Sequence, residues 1–133
     1  DAVFSVPAAK LGLAYPVDAM ADIVHAVGPQ VAKYMAYCAA RLDAPAALDA
    51  GFLLEIVENG GLFARADELA ATIAANAPLS IRASKASIRA VLTADPADAA
   101  HASALGDATF ESADYAEGRA AFREKRPARF RGR

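Results

Sequence analysis

The sequence has few of the residues that build disulfides, metal sites or membrane spans. It contains one cysteine, Cys38, which excludes an intrachain disulfide, and its two histidines, His25 and His101, lie far apart on predicted helices. Because metal ions are bound by clustered ligands, we predict no metal site. No apolar run reaches the roughly 18 residues of a membrane span, and residues 1–7 lack the basic start of a signal peptide. We expect a cytoplasmic protein without a membrane partner.

Motifs that carry common enzyme chemistry are also absent. Asn59-Gly60-Gly61 lacks the lysine and the hydroxyl residue of a phosphate-binding P-loop, and no Gly-x-Ser-x-Gly nucleophile elbow occurs. The neighbouring acids Asp67 and Glu68 are explained most simply as the solvated face of a helix. No nucleophile, base and orienting group stand together in the sequence. From the residues alone we predict no catalytic residue in this chain.

Charge is distributed unevenly along the chain. Residues 119–133 hold seven basic residues and one acid, whereas residues 1–118 hold seven basic residues and fifteen acids. Such a tail can bind phosphates, nucleic acid or an anionic membrane, and it can also dock on the acidic body of its own chain or of a partner. We favour docking. Because aromatic residues are not interleaved as in single-strand binders, we expect no nucleic-acid partner.

The pattern of apolar residues, prolines and caps predicts a chain that is about 60% helical with two short strands. Alanine, at 37 of 133 residues, favours helix because it has the highest intrinsic propensity. The predicted helices cover 17–27, 29–38, a short stretch from Asp43 to 50, 62–77, a helix after Pro78 to 92, 95–110, and one that begins at Ser112. The strands cover 2–6 and 52–57, and a loop covers 10–16. If the strands do not pair with each other, their partners lie outside the 133 residues.

Two stretches carry a more specific pattern. The first comprises PAAKLGL at 7–13, a helix that ends at Gly28, and AALDAGFL at 46–53; the second is SADYAEGRAAFREKRPARF at 112–130. They resemble the crotonase (enoyl-CoA hydratase/isomerase) superfamily, whose C-terminal signature is Ser-x-Asp-x-x-Glu-Gly-x-x-Ala-Phe-x-Glu-Lys-Arg-x-Pro-x-Phe. The proline comes one place early here. Pro78 followed by Lys85 matches a further segment of that family.

The resemblance implies the C-terminal portion of an α/β crotonase-like fold. Residues 1–60 would be the end of the spiral core, and residues 61–133 the helical oligomerisation subdomain. An N-terminal half, absent from this sequence, would carry most of the sheet and the two backbone N–H groups of the oxyanion hole. The family forms homo-trimers or dimers of trimers. The amphipathic faces at 62–73 and 81–92 would suit such contacts, although they could also pack internally.

The resemblance also implies an acyl-CoA thioester as the substrate, with coenzyme A as part of it and no other cofactor. Hydratases use two glutamates as general acid and base. One falls at Ala8, which cannot transfer a proton, so hydration is in doubt and Ala8, Leu13 and Tyr15 become candidates for a remodelled acyl pocket. Phe122 and Lys125 match positions that bind the CoA nucleotide, and Phe122 would also serve as a core or interface residue.

A different function class stays open. The chain could be a helical oligomerisation or interaction module without catalysis, in which the basic tail binds the acidic face of a partner. The 133 residues alone carry too little of an active site to catalyse a reaction.

Overall fold

The computed structural model describes residues 1–133, which form two compact units, residues 1–59 and residues 60–133. The chain is 67% helical and has two short antiparallel strands, so the predicted helix-rich architecture with two strands is confirmed. None of the helices combines the length and the apolar character that a bilayer crossing needs.

The first unit combines a two-stranded sheet with helices. Its elements are β1 (Val3–Ser5), a 3-10 helix (Pro7–Leu11), α1 (Val17–Cys38), β2 (Arg41–Asp43) and α2 (Ala44–Asp49). α1 consists of two helical segments, as predicted, because Gly28 adopts φ 73° and ψ 163° and Pro29 lacks an N–H group. The Asp43 carboxylate caps α2 by accepting a hydrogen bond from the Ala46 N–H at 2.9 Å, which confirms the predicted cap.

The second strand does not lie where it was predicted. Residues 52–57 form no strand, because the N–H groups of Phe52 and Leu53 donate to the Ala47 carbonyl at 3.0 and 3.3 Å and turn the chain back onto α2. The Phe52 ring packs edge-on against Phe4, with the ring centroids 4.9 Å apart. These apolar residues therefore serve side-chain packing and make no sheet ladder.

The two observed strands pair with each other. The opposed residues are Val3 and Asp43, Phe4 and Leu42, and Ser5 and Arg41. Partners outside the 133 residues were expected only if the two strands did not pair with each other. Because they do pair, that expectation does not apply. A two-stranded sheet still leaves one edge of each strand unpaired.

The first unit has a small core. Its buried residues are Val6, Ala8, Val27, Ala32, Met35, Leu42 and Ala47. Ala8 reaches this core on a 3-10 helix at 7–11, so the loop predicted over 10–16 begins only after Leu11. Gly12 ends that helix with φ 71°, a conformation that glycine adopts without steric cost.

The second unit consists of four helices. They are α3 (Leu62–Ala74), α4 (Pro78–Thr93), α5 (Pro96–Phe110) and α6 (Ala113–Glu124). The predicted caps are confirmed: Asp95 accepts from the Ala97 N–H at 2.8 Å, and Ser112 accepts from the Tyr115 N–H at 3.0 Å.

Few side chains of the second unit are buried. α3 buries none, and α4 buries only Ala83. Large apolar side chains stay exposed on these two helices: Leu62, Phe63, Ile73, Ile81, Ile88, Val91 and Leu92. The apolar side chains on α3 and α4 are therefore not covered by the other helices of this unit.

Candidate functional site

Ala8 occupies the position at which the resemblance places a glutamate. Its side chain is 6% exposed and belongs to the same buried cluster as Val6 and Val27. The Ala8 carbonyl accepts a hydrogen bond from the Leu13 N–H at 3.2 Å, which holds the two residues close together. A methyl group can neither give nor accept a proton, so Ala8 contributes shape and no acid–base chemistry.

A cavity of about 660 Å³ opens in the first unit. Three polar side chains, Ser5, Tyr15 and Asp22, line it. The remaining lining residues are apolar: Val3, Phe4, Val6, Ile23, Ala26, Val27, Met35, Leu42 and Phe52. The volume and the mostly apolar lining are those of a pocket for a small organic group.

The structure brings only one acyl-pocket candidate to this cavity. Tyr15 lines it, whereas Ala8 and Leu13 do not, and Leu13 is 52% exposed. Asp22 also lines it and was missed by the sequence reasoning. The signal for Asp22 was its place on α1 directly before the apolar residue Ile23. Its carboxylate and the Tyr15 phenol are the ionisable groups that line the cavity.

The two CoA-binding candidates lie together at the C-terminal end of α6. The Phe122 ring is 86% exposed and lines a groove of about 330 Å³ in the second unit. Lys125 follows in the left-handed conformation, with φ 53°, and its N–H donates to the Phe122 carbonyl at 3.3 Å. At this exposure Phe122 is not a core residue of the unit. An uncovered aromatic ring three residues before a lysine suits a base and a phosphate.

A tail clasp anchors the basic segment on α6; it consists of the Asp114 and Glu117 side chains and residues 126–133. The Arg126 guanidinium donates to both Glu117 carboxylate oxygens, with Nη1–Oε1 at 2.6 Å and Nη2–Oε2 at 2.9 Å. The Arg129 N–H donates to the same carboxylate at 2.8 Å. Such a bidentate, charge-assisted pair is among the stronger contacts that a protein makes.

Asp114 forms the buried half of the tail clasp. It is 3% exposed, and its two carboxylate oxygens accept hydrogen bonds from the Arg131 and Gly132 N–H groups, each at 2.7 Å. The Asp114 N–H donates in return to the Arg133 carbonyl at 3.1 Å. The basic tail therefore docks on its own helix, one of the alternatives that its charge raised. Sequence reasoning missed the clasp; its signal was a pair of acids three residues apart, which share a helix face.

The clasp lowers the pKa of Glu117 from its ordinary value of 4.5 to about 2, chiefly through the hydrogen bonds from Arg126 and secondly through the Arg129 N–H. Because the folded value lies below the unfolded one, this contact stabilises the folded chain above about pH 4.5 and is lost as the pH falls towards about 2. We expect the melting temperature of the intact protein to fall across this window. Glu117→Gln should be less stable at neutral pH and should lack this part of the acid dependence.

Thermal unfolding followed by circular dichroism at several pH values measures both effects. The matched control is Glu111→Gln, because Glu111 is exposed and lies outside the clasp. This control should keep the native acid profile. A native profile in Glu117→Gln would show that the clasp does not set the acid stability.

The amino-acid sequence of this chain is similar to those of known proteins. The sequence model of the enoyl-CoA hydratase/isomerase family matches residues 1–133. The short-chain-enoyl-CoA hydratase of Clostridium acetobutylicum is 30% identical over 128 residues, which are 95% of this chain and 49% of that protein. The chain spans about half the length of the curated relatives it matches.

Solved structures show the same similarity. An enoyl-CoA hydratase/isomerase family protein of Hyphomonas neptunium superposes with a TM-score of 0.86 at 35% identity, over 99% of this chain and 50% of that one. The enoyl-CoA hydratase of Mycobacterium tuberculosis H37Rv superposes with a TM-score of 0.86 at 28% identity, over 100% of this chain and 53% of that one.

Proposed function

Because the chain belongs to the enoyl-CoA hydratase/isomerase family of the crotonase superfamily, we propose that it is part of an enzyme that acts on acyl-CoA thioesters. Coenzyme A would enter as part of the substrate, and the reaction would need no separate cofactor. The observation that carries the proposal is the exposed Phe122 ring at the end of α6, three residues before Lys125. The ring would stack on the adenine and the ammonium group would contact a phosphate.

The proposed reaction class follows from the absence of a carboxyl group at position 8. Hydration of an enoyl thioester needs a positioned general acid and base, and Ala8 supplies neither. We therefore propose that hydration is inefficient, and that the enzyme instead isomerises, hydrolyses or decarboxylates its thioester. Each of these reactions still uses an oxyanion hole, which stabilises the negative charge that develops on the thioester oxygen.

We propose that the oxyanion hole belongs to an N-terminal half that precedes this chain. The support is threefold: the chain spans about half the length of its relatives, β1 has a free edge, and the first-unit cavity is lined in part by β1. A free strand edge beside apolar surface is suited to receive further sheet. The 133 residues alone would then not catalyse the reaction.

The exposed faces of α3 and α4 support the proposed homo-trimer or dimer of trimers. Phe63 is 83% exposed and Val91 81% exposed, and uncovered apolar side chains on amphipathic helices suit an interface. The same observation favours the second candidate function, an oligomerisation module without catalysis. Specific binding of coenzyme A separates the two, because a module of that kind has no reason to recognise a nucleotide.

We expect Phe122→Leu and Lys125→Ala each to weaken coenzyme A binding about tenfold, which corresponds to about 1.4 kcal/mol. Leucine keeps an apolar side chain but removes the aromatic face, so a loss in Phe122→Leu reports stacking. Isothermal titration calorimetry of the intact protein with coenzyme A measures the change. Lys33→Ala, an exposed lysine of the first unit, should retain native affinity. Unchanged coenzyme A affinity in both Phe122→Leu and Lys125→Ala would show that coenzyme A does not bind at this end of α6.

A further inference from the structure

A second cavity of about 660 Å³ lies beside the tail clasp in the second unit. Four arginines line it, and we call them the arginine cradle: Arg126, Arg129, Arg131 and Arg133. The acidic side chains at the same cavity are Asp114 and Glu117. Four positive side chains therefore face two negative ones, and the cavity is electropositive.

The backbone that carries the cradle is hydrogen-bonded to α6 at several residues between 129 and 133. The Arg129 N–H binds Glu117 at 2.8 Å, and the Arg131 N–H binds Asp114 at 2.7 Å. The Arg133 carbonyl accepts from the Asp114 N–H at 3.1 Å. The positions from which three guanidinium groups project are thus set before a ligand arrives, which lowers the entropy cost of binding.

The three terminal arginines of the cradle are exposed and line the same cavity. Residues 127–133 are in neither helix nor strand, and exposure alternates along them: Arg129, Arg131 and Arg133 are exposed, whereas Ala128, Phe130 and Gly132 are partly buried. Gly132 has φ 73°, so the backbone between Arg131 and Arg133 is not extended. The cavity that they line is what brings these three guanidinium groups together.

The positive charges of Arg129, Arg131 and Arg133 are not neutralised, because the nearby carboxylates already bind other groups. Arg126 pairs with Glu117 and Glu124, but no ion pair joins the other three guanidinium groups to a carboxylate. The oxygens of Asp114 accept backbone N–H groups instead. Guanidinium forks bind phosphate oxygens in bidentate fashion, so neighbouring forks suit an anion with more than one phosphate.

We propose that the arginine cradle is a binding site for an oligophosphate anion, separate from Phe122 and Lys125, neither of which lines its cavity. The cavity volume is that of a small-molecule site. The diphosphate of coenzyme A and free inorganic diphosphate offer the same chemistry. The proposal does not rest on the proposed acyl-CoA activity, because the cradle recognises phosphate groups alone.

Inorganic pyrophosphate is the direct probe, titrated into the intact protein by calorimetry at low ionic strength. Arg129→Ala and Arg131→Ala should each weaken its binding about tenfold. Both variants keep the backbone N–H groups of the tail clasp, so their melting temperatures should match the native one. The control is Arg123→Ala, an exposed arginine of α6 that lines neither the cradle cavity nor the Phe122 groove, and it should retain native affinity.

Failure of the native protein to bind pyrophosphate at about 50 mM salt overturns the proposal. Equal weakening in Arg123→Ala overturns it too, because binding would then follow total charge. A further outcome is that the native protein self-associates without binding pyrophosphate. If Arg131→Ala abolishes that self-association, a second copy of the chain occupies the cradle and the proposal is overturned. Loss of coenzyme A affinity in Arg131→Ala identifies coenzyme A as the source of the phosphates, and unchanged coenzyme A affinity identifies a free oligophosphate; either result with weakened pyrophosphate binding upholds the cradle.

Discussion

The intact protein should hydrate crotonyl-CoA about 10²- to 10⁴-fold more slowly than the short-chain-enoyl-CoA hydratase of Clostridium acetobutylicum under the same conditions. A positioned general acid or base contributes a factor of this size, and the Ala8 methyl group cannot take that role. The rate of formation of the 3-hydroxyacyl thioester, followed by liquid chromatography, measures it. A rate equal to that of the relative would show that another group moves the proton, and Asp22 and Tyr15 would be the first residues to test.

Ala8→Glu tests whether the missing carboxylate alone limits hydration. Ala8 is 6% exposed in the core of the first unit, so a glutamate there is overpacked, at about 1–3 kcal/mol, and its burial favours the protonated form. We expect the variant to gain less than about tenfold in hydration rate for this reason. The control Ala9→Glu adds the same charge at the next, exposed residue and should change neither stability nor rate. A gain of several hundredfold in Ala8→Glu would show that the site still accommodates the carboxylate.

Asp114→Ala should lower the free energy of unfolding by about 2–4 kcal/mol. The substitution leaves the Arg131 and Gly132 N–H groups without the acceptor that each contacts at 2.7 Å. An unpaired buried donor costs about 1–3 kcal/mol, and water that enters the opened site recovers part of the sum. Urea denaturation of the intact protein measures the difference.

Two further variants isolate the cause. Asp107→Ala removes an exposed acid from α5 and should change stability by no more than about 0.5 kcal/mol. Asp114→Asn keeps one acceptor oxygen but turns an NH₂ group towards the second N–H, so its stability should fall between those of the native protein and Asp114→Ala. If Asp114→Ala costs no more than Asp107→Ala, the tail clasp does not contribute to stability.

The clasp also links stability to the proposed cradle. The carboxylate of Asp114 positions the Arg131 backbone, and that of Glu117 positions Arg129. Removal of either acid frees the tail, so the arginines would lose the fixed backbone positions that the clasp gives them. For that reason the arginine variants, which leave the clasp intact, are the cleaner test of phosphate binding.

Local signals in the sequence determined where most helices begin and end. Asp43, Asp95 and Ser112 cap helices in the structure as predicted, and Gly28 with Pro29 divides α1. Each of these features depends on atoms no more than about four residues apart, so the neighbouring residues in the sequence are enough to predict it. The superfamily was accessible for a similar reason, because its signature is a continuous stretch of the tail.

Only the tertiary structure decided which apolar segment became a strand and which charged groups met. Residues 52–57 have strand-like composition, yet Phe52 packs on Phe4 while Leu42 takes the place beside β1. The sequence placed Tyr15 among the pocket residues, but only the fold brings Asp22 to the same cavity. Asp114 meets the N–H of Arg131 across 17 positions of chain. Such contacts depend on how distant segments pack, and residue type and spacing do not encode that locally.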